Sequence, residues 1–535
     1  MITRDNLKAL LTALNFQENN NIFSKNFKNS ETYLKVDFIK NLLVYPTDKG
    51  LIVSGDFTTS FNKPENFVVF ECVNRLFEKG YKPEHIELEP KWKVGHGASG
   101  GRADILVKDN SERSLLIIEC KTEGNEFKKE WNNTLQRGGQ MMTYAKQAGS
   151  TQYVCLYTSD FIDGKAVYFS NIISLNDNKK LLEELADKKP LSFKEAKSLE
   201  VEDIYKAWKE TYNSDYATKG IFEDEIQPYQ IGKQKYSIND LSEVGSKDIQ
   251  SKYHEFATIL RKYNVSGREN AFDKLVNLFL CKIVDEAKNP KDLKFNWKGI
   301  AYDNDFDLID RLQTLYQTGM KEFLGEDVAN VSKKEIVSAF KYVKDDPDAT
   351  KEAVLKFFRE LKYFKNSDFS FIDVHNEKLF YQNSKILLEI VKLLQDTRLQ
   401  SENQNQFLGD MFEGFLDNGV KQSEGQFFTP MPIVKFILNS LPLESLIEES
   451  ELPPKAIDYA CGAGHFLNEL ALQIKPYIEK HQETNIKEYY KQIIGVEKEY
   501  RLSKVAKVSA FMYGQDDIKI TYADALGSNA KLQEN

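Results

Sequence analysis

The sequence predicts a chain of mixed class, with an amino-terminal α/β domain, a central helical bundle and a second, partial α/β domain at the carboxy-terminal end. Two changes of hydrophobic period and one glycine-containing turn carry that prediction. Over roughly the first 170 residues, short apolar runs alternate with helices. Beyond about 250 the apolar residues recur at three- and four-residue steps, and near 425 strand–helix alternation returns around the turn at 461–464. The expected boundaries are 1–175 for the first domain, 176–250 for a connector, 251–420 for the helical domain and 421–535 for the last.

Bulk properties narrow the classes. A chain of 535 residues exceeds what one core holds. A hydrophobic fraction of 41% and a charged fraction of 29% describe an ordinary solvated protein. No run approaches the roughly 18 apolar residues of a membrane span, and the opening MITRDNLKALLTALNF has the polar interruptions of a helix, so a cytoplasmic protein without a membrane partner is expected. The net charge of −9 gives no global attraction to nucleic acid, although phosphate contacts need only a local basic groove. Cys72, Cys120, Cys155, Cys281 and Cys461 contain no C-x-x-C pair, and no two of the six histidines stand at ligand spacing. Any metal is therefore expected on oxygen.

In the first domain the expected strands are 51–57, 103–109, 114–122 and 153–159, with a helix at 129–148 between the last two. The stretch 180–250 is polar, with Lys-Pro and Gln-Pro steps, and predicts a connector with short helices. Next comes 268–287, where Phe272, Leu275, Val276, Phe279, Leu280, Ile283 and Val284 mark a helix. Comparable patterns fill 305–323, 334–343, 351–364, 379–397 and 404–417.

The chemistry of the first domain is concentrated in GGRADILVKDNSERSLLIIECKTEG, residues 100–124. Asp104 opens a short strand, and Glu119-Cys120-Lys121 closes a strongly apolar one. Alternation puts Glu119 and Lys121 on one side and Cys120 on the other. A hairpin would bring Asp104 beside them, giving two carboxylates for Mg²⁺ and a lysine to orient or deprotonate water and offset phosphate charge. This set resembles the PD-(D/E)xK nuclease superfamily, with Ala103 where proline is usual. The resemblance implies that Asp104 and Glu119 hold Mg²⁺ and that Lys121 is catalytic. It extends to Glu71 on a helix at 67–80, where such nucleases often keep another acid. It also covers Gln140 and Tyr144, a Q-x-x-x-Y pair similar to that of type I restriction motor subunits.

A second constellation is KAIDYACGAGHFLNELA, residues 455–471. An apolar strand ends at Asp458, a small-residue turn follows at Cys461-Gly462-Ala463-Gly464, and a helix begins near His465. Small residues let a backbone approach a ligand that helix N–H groups face. The segment resembles the D-P-A-C-G-S-G-x-F-L motif of adenine-N6 DNA methyltransferases and so implies a Rossmann-like domain binding S-adenosylmethionine. Tyr459 and Ala463 depart from that motif without enlarging the turn beyond small-residue logic. On the same resemblance Phe428, Thr429 and Pro430 stand in the amino-terminal cofactor motif, Glu497 accepts from the ribose hydroxyls, and Asp524 meets the cofactor's adenine amino group. Cys461 is expected as a small loop residue and not as a nucleophile.

The (N/D)-P-P-(Y/F) motif that would hold a flipped target adenine is absent from these residues, as is room for a target-recognition domain. The expectation is a methyltransferase domain truncated before that motif, its recognition domain missing or carried separately. Together the two constellations resemble type IIG and type I-like restriction-modification enzymes acting on double-stranded DNA. Two rivals are a non-catalytic DNA-binding or scaffold subunit with vestigial sites, and the front of a motor-coupled enzyme. For the latter no G-x-x-x-x-G-K-[ST] loop occurs in these residues.

Overall fold

The computed structural model describes the chain apart from residues 93–101, 224–225, 233–235, 244–245, 266–267, 329–359, 365–366, 401–428, 451, 482–484 and 528–535. It divides into two compact units, 1–235 with 298–304, and 236–297 with 305–535.

The first unit opens on α1 (Arg4–Ala13) and an antiparallel meander of β1 (Gln17–Asn19), β2 (Ile22–Phe27), β3 (Thr32–Asp37) and β4 (Leu42–Val44). A second sheet follows from β5 (Ile52–Val53), β6 (Ile86–Leu88), β7 (Ile105–Lys108), β8 (Ser114–Cys120), β9 (Tyr153–Ile162) and β10 (Lys165–Ser174), in the spatial order β10-β9-β8-β7-β6-β5. Strand β8 is buried at every residue after Ser114, which explains its unbroken apolar run. It pairs antiparallel with β7, Ile105 opposite Ile118, and parallel with β9. The hairpin turn is built on Asp109, whose Oδ1 accepts from the amides of Ser111 at 2.8 Å and Arg113 at 3.0 Å. Between β5 and β6 runs α2 (Pro64–Lys79), opened by Pro64 and closed by Gly80 at φ +100. Its Phe67, Val68, Phe70, Val73 and Leu76 join Ile105, Val107, Leu116 and Ile118 in the core.

Three differences from the sequence reading stand out in this unit. The strand expected over 51–57 shortens to β5, because the chain turns at Ser54 and Gly55 to meet the β6 end. The helix expected over 129–148 is two, α3 (Asn125–Arg137) and α4 (Gly139–Gln147), broken at Gly138 with φ +84. A Cβ on Gly138 would stand 2.9 Å from Met142 Cγ, so the break suits glycine on both counts. Finally, residues 176–235 belong to this compact unit. Short helices α5 (Lys179–Glu184), α6 (Phe193–Ala196) and α7 (Val201–Lys206) surround a small aromatic core. There Phe193 and Tyr212 stack at 4.3 Å, and Asp177 accepts from the Tyr212 hydroxyl at 2.6 Å and the Phe193 amide at 2.7 Å.

The second unit begins with β11 (Ser242–Glu243), which pairs with β12 (Thr397–Arg398), and with helices α8 (Ser246–Lys262), α9 (Arg268–Lys288), α10 (Asp305–Leu324) and α11 (Glu377–Leu394). The helical patterns at 334–343 and 404–417 lie outside the described residues, and of 351–364 only the π-helical turn Glu360–Phe364 is described. Then come α12 (Met431–Asn439), α13 (Leu443–Glu448), β13 (Ala456–Asp458), α14 (His465–His481), α15 (Ile486–Tyr490), β14 (Ile493–Glu497), α16 (Tyr500–Met512) and β15 (Lys519–Tyr522). The three strands are parallel, in the order β13-β14-β15. Leu467, Ala471, Ile474, Ile493, Ala506, Ala510 and Ile520 form the core beneath them. All five cysteines are free and buried. Among the described residues no helix is long and apolar enough to cross a membrane.

Candidate active sites

In the first unit the β7–β8 hairpin sets the geometry. Since Ile105 faces Ile118, the next step outward puts Asp104 beside Glu119. The Cys120 amide donates to Asp104 Oδ2 at 2.7 Å, which fixes that carboxylate across the hairpin. Lys121 Nζ donates to Glu119 Oε1 at 2.6 Å and to Glu65 Oε1 at 2.7 Å. Glu119 is 3% exposed, and its Oε2 takes no hydrogen bond among the described residues. Beside it stands Tyr144, buried on α4, whose hydroxyl donates to the Arg102 carbonyl at 2.9 Å.

Electrostatics follow from that enclosure. Burial, then the Glu119 charge, push the Asp104 carboxyl well above its ordinary range, against the opposing pull of Lys121 and the Cys120 amide. Burial likewise raises Glu119, with Lys121 opposing. For Lys121, burial works against the charge, but Glu119, Asp104 and the hydrogen bonds to Glu119 and Glu65 outweigh it and the pKa rises. The carboxylates around it thus favour the charged form of the lysine, which suits it to neutralising phosphate charge. Among the described residues no group of three or more His, Cys, Asp or Glu side chains converges as a metal set. Mg²⁺ needs less, since it retains several waters and takes one or two carboxylates. Asp104 and Glu119, with Oε2 of the latter buried and unengaged, fit that demand.

The structure does not bring Glu71 to this cluster. Glu71 is fully buried, 2.6 Å from Arg75 Nε, and accepts from the Tyr157 hydroxyl at 2.6 Å. Burial raises its pKa, with Arg75 opposing. The acid that α2 supplies to Lys121 is Glu65. Six residues along a helix turn the side chain by about 240°, so the two glutamates face different ways. Sequence reasoning missed Glu65, though an acid directly after Pro64 at a helix start was the available signal. Gln140, at the first turn of α4, is exposed, and its amide donates to Glu130 Oε1 at 3.2 Å.

In the second unit the candidate residues gather at the carboxyl ends of the three parallel strands, where open α/β sheets take their ligands. Asp458 ends β13 and accepts from the Ala460 amide at 3.1 Å. Gly462 and Gly464 stand at φ +54 and +84, which lets the turn close before α14. Glu497 ends β14, accepting from the Gly462 amide at 2.8 Å through Oε2 and from the Glu499 amide at 2.8 Å through Oε1. Each oxygen keeps a further lone pair for a ligand hydroxyl. Asp524 follows β15, and its hydrogen bond and ion pair with Lys498, at 3.0 Å, lower its pKa. Cys461 is buried, and burial with the Asp458 and Glu497 charges pushes its thiol up to about 12, as befits a packing residue. Gly495 on β14 allows this packing: a Cβ there would lie 2.5 Å from Leu467 Cδ1 and 3.0 Å from Cys461 Sγ. Thr429 and Pro430 precede α12, which packs on α14; Phe428 lies outside the described residues.

Comparison with known proteins bears on this second site. No curated protein matches the chain. Among solved structures, it is similar to a modification subunit of a type I restriction enzyme from Vibrio vulnificus YJ016. That likeness has 16% identity and a TM-score of 0.27, over 53% of this chain and 56% of that one. The methyltransferase subunit of a type I restriction-modification system from Streptococcus thermophilus is 15% identical, with a TM-score of 0.29, over 54% and 61%. A DrdV–DNA complex is 14% identical, with a TM-score of 0.25, over 84% and 37%. The chain thus spans between 37% and 61% of the length of these proteins. Residues 403–535, at the carboxy-terminal end of the chain, match the family model described as N-6 DNA Methylase.

Proposed function

We propose that this protein is a bifunctional restriction-modification enzyme, methylating adenine N6 in DNA from S-adenosylmethionine and hydrolysing unmodified double-stranded DNA with Mg²⁺. The family match over 403–535 supports the first half. The nuclease half rests on one observation: Lys121 Nζ is 2.6 Å from Glu119, and both lie close enough to Asp104 to act on its charge.

Asp104 and Glu119 would hold Mg²⁺, which supplies Lewis-acid stabilisation of the phosphate and acidifies bound water. The chain's own part is to place charge. Lys121, fixed by Glu119 and Glu65, meets the phosphate as an ammonium and offsets the charge that builds during attack. The Cys120 amide fixes the Asp104 carboxylate across the hairpin from Glu119. Tyr144 adds a neutral wall beside Glu119 and anchors the Arg102 carbonyl just ahead of Asp104.

At the second site S-adenosylmethionine would lie across the strand ends. Glu497 would accept from its ribose hydroxyls, the Gly462–Gly464 turn would let the protein backbone lie close to it, and Asp524, now paired with Lys498, would accept from its adenine amino group. Asp458, Phe428, Thr429 and Pro430 complete the set by resemblance. A separate or further specificity domain would choose the DNA sequence.

The deciding experiment is cleavage of unmethylated plasmid with Mg²⁺ by the full chain and by Lys121→Ala, beside calorimetric titration with S-adenosylmethionine. Cleavage lost in Lys121→Ala supports the nuclease; cutting that survives the substitution sinks it. Heat of binding lost in Glu497→Ala supports the cofactor site.

A further inference from the structure

The loop between β5 and α2 holds out one aromatic ring, Phe57, which is 59% exposed. A single exposed apolar side chain is unremarkable on its own. Here, however, the loop is fastened to the helix that carries Glu65 and, through Glu89, to the backbone at Asp104. Asn66, next to Glu65 on α2, donates through Nδ2 to the carbonyls of Phe57 at 2.6 Å and Ser60 at 2.9 Å. From the other side Glu89, 1% exposed, accepts from the Thr58 amide at 2.6 Å and pairs with Arg102 at 2.8 Å. The Glu89 amide in turn donates to the Asp104 carbonyl at 3.0 Å. Gly55 makes room for this anchor, since a Cβ there would fall 1.9 Å from Glu89 Oε2.

Two cations attend the ring. The Arg102 guanidinium is 4.9 Å from its centroid and the Lys63 ammonium 6.0 Å. The second is at the outer limit of a cation–π contact, so Lys63 is free to turn toward a phosphate at small cost. A rigid exposed aromatic flanked by basic groups is the recurring means of gripping an unstacked base between two phosphates.

We propose that Phe57 is a stacking platform for a nucleobase adjoining the phosphate to be cut, with Arg102 and Lys63 meeting the phosphates on either side of it. This inference rests on the nuclease reading above. Phe57 and Lys63 touch none of the groups proposed to bind metal, so their part is to position DNA.

The test uses the full chain, a duplex oligonucleotide with a frayed end, and Ca²⁺ in place of Mg²⁺ to hold the DNA uncut. Binding is followed by fluorescence anisotropy for wild type, Phe57→Leu and Phe57→Trp. Affinity should fall about tenfold in Phe57→Leu and be kept in Phe57→Trp. DNA should also quench the added indole, read as the difference from wild type, whose four tryptophans both proteins share. Wild-type affinity in Phe57→Leu with no quenching in Phe57→Trp overturns the proposal, even where Lys121→Ala abolishes cleavage. Conversely, quenching with loss of affinity in Phe57→Leu upholds the platform even where Lys121→Ala still cuts and the nuclease assignment fails.

Discussion

Lys121 and Glu65, one following a central strand and the other opening a helix, meet at 2.7 Å, and Glu119 takes a second hydrogen bond from the same ammonium at 2.6 Å. A cation held between two carboxylates stays charged and aimed. Replacing Glu65 with glutamine should keep the fold and loosen that aim. Single-turnover cleavage is expected to slow about tenfold, the scale of one charge-assisted hydrogen bond. The rate loss should appear with unchanged thermal stability, and a rate equal to wild type would remove Glu65 from the site.

Glu71 predicts the opposite pattern. Its carboxylate is enclosed with Arg75 and Tyr157, so Glu71→Ala leaves a buried guanidinium uncompensated. The fold should lose about 3–5 kcal/mol in urea unfolding. Cleavage per folded molecule, measured at low temperature, should stay near that of wild type.

The raised carboxyls of Asp104 and Glu119 fix the sign of a pH effect. A carboxyl whose pKa is higher folded than unfolded holds its proton to a higher pH in the native state. Stability is therefore lost as pH rises above the unfolded value toward and through the folded one, because a buried charge must then be carried. Without divalent metal, Asp104→Asn should raise Tm by a few degrees in neutral and alkaline buffer and by less in acid. Added Mg²⁺ should stabilise wild type increasingly as pH rises and leave Asp104→Asn unmoved, a comparison open to thermal-shift measurement.

At the second site Gly495 is the point of tightest packing. Gly495→Ala pushes a methyl into Leu467 and Cys461, which should cost about 1–3 kcal/mol as overpacking. The turn at 461–464 shifts with them. S-adenosylmethionine affinity by calorimetry should fall alongside stability, whereas Glu497→Gln should weaken affinity about tenfold or more while stability changes little.

Which parts of this molecule could be read from its residues follows from where the signal is local. The hairpin was legible because β8 is apolar throughout and ends in two charged residues separated by one, so register and facing are both given by alternation. The turn at 461–464 was legible because only glycine comfortably takes the positive φ found at 462 and 464. The facing of α2 was not. Phe67, Val68, Val69 and Phe70 are all buried, so the helix has no polar side to announce which acid meets the sheet. Distance along the chain hid the aromatic core around Phe193, Trp208 and Tyr212, because its members are scattered through a polar stretch that looked like a connector. Glu89 and Arg102 escaped for the same reason: their importance lies in a loop they anchor and not in any motif they form.

The burial of all five cysteines has a practical consequence. Folded protein should show almost no reaction with maleimides or disulfide reagents, so an engineered surface thiol would be its sole ready point of attachment. A dye placed there could report on the two compact units separately. Any unplanned labelling would then reveal that part of the chain had opened.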